Sequence, residues 1–273
     1  MIALDFITEW RARAPWVEDA QVEQDLILSR ALVEIFRRDE LAEALAFRGG
    51  TSLYKLFLSP AARYSEDLDL VQTTAGPIGE TLDGLRQALD PWLGEPRRSF
   101  GEGRVSLIYR VQSEGQPPLP IRLKVEINSR EHFSVFGFAH VPFEVESRWF
   151  AGRARIQTYS LEELLGTKLR ALYQRRKARD LFDLWVAQRS VAVSAERVVE
   201  ALQRYLEHQG LGISRAEFEA NVALKVADWR FLSDVEPLLA RGTSWDPPDA
   251  VRYIRDELLA RLPGEPWKGD ANT

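Results

Sequence analysis

The sequence predicts an α+β fold in two parts: a sheet-containing domain over residues 1–155, followed by a helical domain over residues 156–273. Three observations predict it. Alternating apolar and polar runs, the mark of half-buried strands, occur in the first part, most cleanly from Ile121 to Asn128. From Ser160 onward the apolar spacing is helical. Between Phe47 and Leu70, the stretch FRGGTSLYKLFLSPAARYSEDLDL packs a strand end, a glycine turn, a helix and a second strand into one short unit.

Taken in order, residues 1–20 form a short amphipathic lead-in broken at Pro15, and Gln21 to Phe36 carries an apolar stripe of helical spacing. A short helix, Glu40 to Leu45, leads to Phe47-Arg48, the end of a strand that delivers the Gly49-Gly50-Thr51-Ser52 turn. Leu53, Leu56 and Phe57 continue it as a helix. After the Asp67–Leu70 strand comes a loop, then a helix from Ile78 to Leu89 that Asp90-Pro91 should end. Arg104 to Val111 alternates as a strand, residues 114–120 form a turn, and Ile121 to Asn128 is the clearest strand of all. His132 to Pro142 reads as strand and loop, and β character is expected to fade around Phe150-Ala151-Gly152. Ser160 with Glu163 forms a capping box for the next helix. Ser194 and Ser214 start two more, Pro247-Pro248-Asp249 starts the last, and the residues after Pro263 form a frayed tail.

Composition narrows the chemistry. There are 273 residues, a net charge of −5, and no cysteine, which excludes disulfides, thiolate metal sites and a cysteine nucleophile. Three histidines, His132, His140 and His208, without an HExxH pattern, argue against a histidine-rich zinc site. The N-terminal residues lack the charge and apolar pattern of a signal peptide, and no apolar run approaches membrane-spanning length. The expected location is the cytoplasm. Within this acidic chain, Arg148 to Arg189 holds ten Lys/Arg against four acids, a local excess suited to a polyanion or to a solvated helix face.

In the Asp67-Leu68-Asp69-Leu70 strand, both carboxylates share one face, about 7 Å apart, while the leucines turn inward. Paired carboxylates suit a hard cation such as magnesium. Gly49 and Gly50 let backbone N–H groups approach an anion, and the helix start favours negative charge. A metal site facing a phosphate cradle is the apparatus of phosphoryl or nucleotidyl transfer. Taken alone, either motif also reads as a plain turn or a solvated edge. On the charged face of the Ile121–Asn128 strand, Glu126 is the natural third carboxylate. Lys168 falls on the apolar stripe of its helix, so it points toward the protein or a cleft, unless its head snorkels to water. Asp180 follows Arg175-Arg176-Lys177-Ala178-Arg179, a cationic run that should keep it ionised.

These blocks together, Phe47–Phe57, Arg63–Leu70, Lys124-Val125-Glu126, Lys168–Leu172 and Lys177–Leu184, resemble the AbiEii/AbiGii nucleotidyltransferase toxin family of toxin–antitoxin systems, over roughly residues 20–190. The resemblance implies a DNA polymerase β-like nucleotidyltransferase domain with a mixed sheet, followed by a helical domain. It implies that Gly49, Gly50 and Thr51 or Ser52 hold the phosphates of an NTP, and that Asp67 and Asp69 ligate Mg2+. Glu126 matches a strand position that often carries an acid. Lys168 would reach the triphosphate, and Asp180 would act as a base or as an orienter of Lys168. The expected partners are an RNA acceptor, the tRNA 3′ end foremost, and a co-encoded antitoxin, with no membrane. Two rival readings share parts of this site: a small-molecule nucleotidyltransferase of aminoglycoside type, which needs an acidic pocket, and a nucleotide-binding regulator without turnover.

Overall fold

The structure is a computed structural model that describes residues 2–115 and 117–269. The turn expected over 114–120 includes residue 116, and the expected tail includes 270–273; these lie outside the described residues. The chain divides into two compact units between Tyr159 and Ser160.

The first unit runs α1 (Leu4–Trp10), α2 (Asp19–Phe36), α3 (Asp39–Ala44), β1 (Leu45–Arg48), α4 (Gly49–Leu56), β2 (Asp67–Gln72), α5 (Gly79–Leu93), β3 (Arg97–Gly101), β4 (Arg104–Gln112), β5 (Pro120–Asn128), β6 (Ala139–Glu146) and β7 (Ala151–Thr158). The seven strands form one mixed sheet in the order β3-β4-β5-β2-β1-β7-β6. The β2–β5 and β1–β7 pairs are parallel, and the other neighbours are antiparallel.

Period-two alternation gives this sheet two unlike faces. Leu68, Leu70, Val105, Leu107, Tyr109, Ile121, Leu123, Val125 and Ile127 are buried on one face, where α2 and α5 pack. The residues between them, Asp67, Asp69, Arg122, Lys124 and Glu126 among them, form the opposite, polar face. Burying the apolar set is worth about 1.5–3 kcal/mol per large side chain, which fixes the register of every charged residue on the other side.

α2 is buried almost all round because it crosses the sheet and also meets α1, α3 and α5. Its buried Asp25 has three donors: Trp10 Nε1 at 2.9 Å, Trp16 Nε1 at 3.0 Å and Lys55 Nζ at 2.6 Å. Lys55 lies on α4, so this network ties the helix after the glycine turn to the core helix.

Some elements differ from expectation. α5 continues through Pro91 to Leu93. A proline there leaves the Gln87 carbonyl without its helical donor, and Arg38 Nη2 donates to it instead at 3.2 Å. β3 was not foreseen, since all five of its residues are exposed and carry no apolar alternation. β character does not fade at 150–152: β7 begins at Ala151 and runs to Thr158. Small and charged residues alternate there, so the strand shows no hydrophobic period.

The second unit contains α6 (Leu161–Gln174), α7 (Ala178–Ser190), α8 (Ala195–His208), α9 (Arg215–Val226), α10 (Trp229–Ser233) and α11 (Pro247–Tyr253), then a single π-helical turn over Ile254–Leu258. Ser160 caps α6 through Glu163 N–H, but the Glu163 carboxylate turns inward and accepts from Tyr205 Oη at 2.9 Å. Ser214 and Glu217 do form a full capping box.

Candidate active site

β1 exists to deliver a turn. It ends at Arg48, and Gly49 follows with φ +86°, a backbone conformation that costs an L side chain dearly. Space demands glycine as well. A β-carbon on Gly49 would stand 2.9 Å from Asp69 Cγ, and one on Gly50 would stand 2.5 Å from Arg63 Nη2 and 3.1 Å from Ser65 Oγ. The turn is therefore clasped between the acid-bearing strand and the segment that precedes it.

α4 begins at Gly49 with no side-chain cap, so its first-turn N–H groups have no side chain capping them. Thr51 and Ser52 sit there but face inward. Thr51 Oγ1 donates to the Asp67 carbonyl at 2.6 Å and lies 2.8 Å from Ser65 Oγ, and Ser52 Oγ donates to the Gly49 carbonyl at 2.9 Å. Both are buried, and these bonds hold the turn against β2. Of the four residues expected to hold phosphates, Thr51 and Ser52 thus have their hydroxyls engaged within the fold.

Asp67 and Asp69 lie on one face of β2, as the alternation requires. Burial, reinforced by the neighbouring Asp69 charge, pushes the Asp67 carboxyl up to about 6, against the opposing pull of Lys124. Asp67 Oδ1 is covered and has no hydrogen-bond partner, although the side chain as a whole is one-third exposed. The ion-pair contact of Oδ1 is Arg122 Nη2, at 3.7 Å. A covered carboxylate oxygen without a donor, beside a second carboxylate, is a fit for a divalent cation.

Glu126 stands directly across from Asp69 in the parallel β2–β5 register. Its carboxylate is taken by Lys124 Nζ at 2.6 Å, with Ser106 Oγ at 3.4 Å. Among the described residues, no three His, Cys, Asp or Glu side chains are grouped as a metal site. Glu126, the expected third carboxylate, is thus engaged by Lys124.

Arg48 is the cation that motif reading missed. It lies opposite Asp69 across the β1–β2 ladder and donates to Glu131 Oε2 at 2.6 Å. Burial works against its charge, but Glu131, Tyr159 and Asp69 outweigh it and hold its pKa above the ordinary value. Its position beside the Gly-Gly turn, at a strand end, was the available signal. Lys124 likewise shares a strand face with Glu126, two residues away, as the alternation already implied.

In the second unit, Lys168 and Asp180 are brought together, with a partner not foreseen. Lys168 Nζ lies 2.8 Å from Asp183 Oδ2 and 3.4 Å from Asp180 Oδ1. Arg175 adds a fork to Asp180, Nε to Oδ2 at 2.7 Å and Nη2 to Oδ1 at 2.8 Å. Both aspartates are fully buried. Burial alone would raise the Asp180 pKa, but Lys168 and Arg175 hold it below the usual carboxylate range. Asp183 follows Asp180 by three residues on α7 and so shares its face; that spacing was the legible clue.

The basic run from Arg148 to Arg189 is largely paired within the fold. Arg148 meets Asp5 and Glu9, Arg176 meets Asp228, Lys177 meets Asp234, and Arg189 meets Asp249. Arg170 is buried against the Tyr205 ring.

A family model described as nucleotidyl transferase AbiEii toxin, type IV TA system, matches residues 30–252. No curated protein sequence matches at a meaningful level. Among solved structures, the nucleotidyltransferase toxin MenT4 of Mycobacterium tuberculosis H37Rv is similar over 97% of this chain and 91% of its own, with a TM-score of 0.65 and 18% identity. A candidate nucleotidyltransferase from H. pylori is similar over 88% of this chain and 94% of its own, at TM-score 0.56 and 19% identity. JHP933 from Helicobacter pylori covers 89% and 91%, at 0.51 and 16%. At such identities the likeness is one of fold.

Proposed function

The chain belongs to the AbiEii nucleotidyl transferase toxin family of type IV toxin–antitoxin systems, and on that footing we propose that it transfers a nucleoside monophosphate from an NTP to the 3′ end of an RNA, tRNA in particular. The acceptor 3′-hydroxyl attacks the α-phosphorus in line, the P–O bond to pyrophosphate breaks, and the hydroxyl proton passes to solvent. The observation that carries this reading is the Asp67–Asp69 pair, with a covered, donorless Oδ1 and a raised pKa, set against a glycine turn with uncapped N–H groups.

Asp67 and Asp69 are the residues that would hold Mg2+. Bound there, the metal would neutralise charge on the attacking and leaving oxygens. Backbone N–H groups of Gly49 and Gly50 hold phosphate oxygens, while Thr51 and Ser52 keep the turn in place through their bonds to Asp67 and Gly49. Lys124 holds the Glu126 carboxylate beside the pair, from where Glu126 is placed to join it on releasing the lysine. Lys168 is assigned to the leaving phosphates. Asp180, with its depressed pKa, is a poor proton acceptor near neutral pH, so it orients Lys168, together with Asp183, rather than serving as base. A co-encoded antitoxin would keep this activity in check, as the family implies.

The test is incubation of the purified chain with each labelled NTP, Mg2+, total RNA and an aminoglycoside. Label at an RNA 3′ end is expected. Label on an aminoglycoside instead, or nucleotide binding without transfer to any acceptor, would overturn the proposal.

A further inference from the structure

The run of cations expected to meet a polyanion is mostly paired internally, but another set is paired only in part, Arg122 with Glu66 and Asp67 and Lys124 with Glu126. Strand register places it. Arg97 is opposite Ile108, Gly101 opposite Arg104, Arg110 opposite Arg122 and Ile108 opposite Lys124. Lys124 in turn is opposite Asp67, and Ser106 opposite Glu126, which is opposite Asp69. Residues directly opposite in a ladder point to the same side of a sheet. Arg97, Arg104, Arg110, Arg122 and Lys124 therefore share the face that carries the acid pair.

We propose that this face of β3, β4 and β5 is the track along which the sugar–phosphate backbone of a single-stranded RNA 3′ end runs to the Asp67–Asp69 pair. The proposal rests on the nucleotidyltransferase reading and adds to it the acceptor's path. On this face of the three strands, five cations meet one carboxylate, Glu126, in a chain whose net charge is −5. Arg97, Arg104 and Arg110 are exposed and form no ion pair among the described residues, in contrast to Arg148, Arg175 and Arg176. The positions between them on this face are Ser99, Gly101, Ser106 and Ile108, none of them charged. Strands are spaced about 4.8 Å apart, which puts the β3 edge about 14 Å from β2, a span for a few nucleotides rather than a duplex.

The face holds no aromatic side chain at these positions. Bases have nothing to stack on, so recognition is through phosphates. That supplies affinity and direction but no sequence information.

The experiment measures binding of a short labelled single-stranded RNA to the full chain by fluorescence anisotropy between 50 and 200 mM salt, for wild type, Arg97→Glu/Arg110→Glu and Arg204→Glu. Arg204 lies on α8, is exposed, and gives a control for bulk charge. Losing two phosphate contacts should flatten the slope of log K against log salt by about 1.4 and weaken binding roughly tenfold or more at low salt. Arg204→Glu should bind as wild type does, and the KM for RNA in transfer should rise only in the double variant. Unchanged RNA binding by the double variant overturns the track, as does an equal loss in Arg204→Glu. If wild type binds RNA with the expected slope and arginine dependence yet labels none, the transfer reading fails and the track stands.

Discussion

Gly49 and Asp69 occupy mutually exclusive space: a β-carbon on the glycine would fall 2.9 Å from the Cγ of the aspartate. Gly49→Ala should therefore do two kinds of damage. The left-handed backbone costs about 1–2 kcal/mol, and the Asp69 carboxylate must move. Transfer should fall about 100-fold or more, from misplacement in the site. Melting curves of Gly49→Ala, Asp69→Ala and the double variant would show the coupling, since removing the carboxylate should recover part of the alanine's cost. Strict additivity would mean that the two residues do not compete for space.

Asp67 titrates in an unusual window. Its folded pKa of about 6 exceeds the ordinary 3.8, so the folded state holds the proton more tightly than the unfolded one. In chelator, stability from this group should be greatest below pH 4, fall as pH rises toward about 6, and level off above. Asp67→Asn should abolish that slope and abolish transfer. Mg2+ should raise the melting temperature of wild type at pH 7, by ligand linkage, and leave Asp67→Asn unmoved. A wild type whose melting temperature ignores Mg2+ would sink the metal assignment.

Lys168 sits between two buried aspartates. Lys168→Met strands like charges in the core, which should cost about 3–5 kcal/mol. Adding Asp183→Asn should restore part of that stability. If Lys168 also serves the leaving phosphates, the stabilised double variant still fails in single-turnover transfer. Recovery of transfer along with stability would assign Lys168 a structural role alone.

Asp25→Ala leaves two indole N–H groups without their acceptor and Lys55 without its counter-charge, with Ser29 Oγ still accepting from it. Urea denaturation should report a loss of about 3–5 kcal/mol. A change below about 1 kcal/mol, the range of an exposed pair, would contradict the network's importance.

Expression of the chain without its antitoxin should arrest bacterial growth, and the Asp69→Ala form should not. Equal arrest by both forms at matched protein levels would separate toxicity from transfer.

Much of the first unit was legible because its chemistry follows the pleat. The Ile121–Asn128 alternation gave a strand, and with it the side on which Lys124 and Glu126 lie. Asp67 and Asp69 were paired by the same rule. What escaped were relationships between elements distant in sequence. That Asp69 faces Arg48 depends on an antiparallel ladder, and that Glu126 is held by Lys124 depends on rotamers. Arg63, buried beneath Gly50, has no local signature. Charge counting also failed in an instructive way. Ten cations clustered along the chain are mostly paired in the fold, whereas those on β3, β4 and β5 are scattered in sequence and adjacent only in the sheet.

The alternation of β4 and β5 also separates two kinds of inheritance. Val105, Leu107, Leu123 and Val125 answer to the core, while Arg104, Arg110 and Arg122, one position away, answer to whatever lies outside. A lineage could therefore tighten or loosen its grip on a polyanion by drift on the outer set, with the folding of the domain untouched. A library randomised at residues 97, 104, 110 and 122 should keep its melting temperature while its RNA affinity scatters, and one randomised at 105, 107, 123 and 125 should mostly fail to fold. Widespread unfolding in the first library would show that affinity and scaffold are not independent in this sheet.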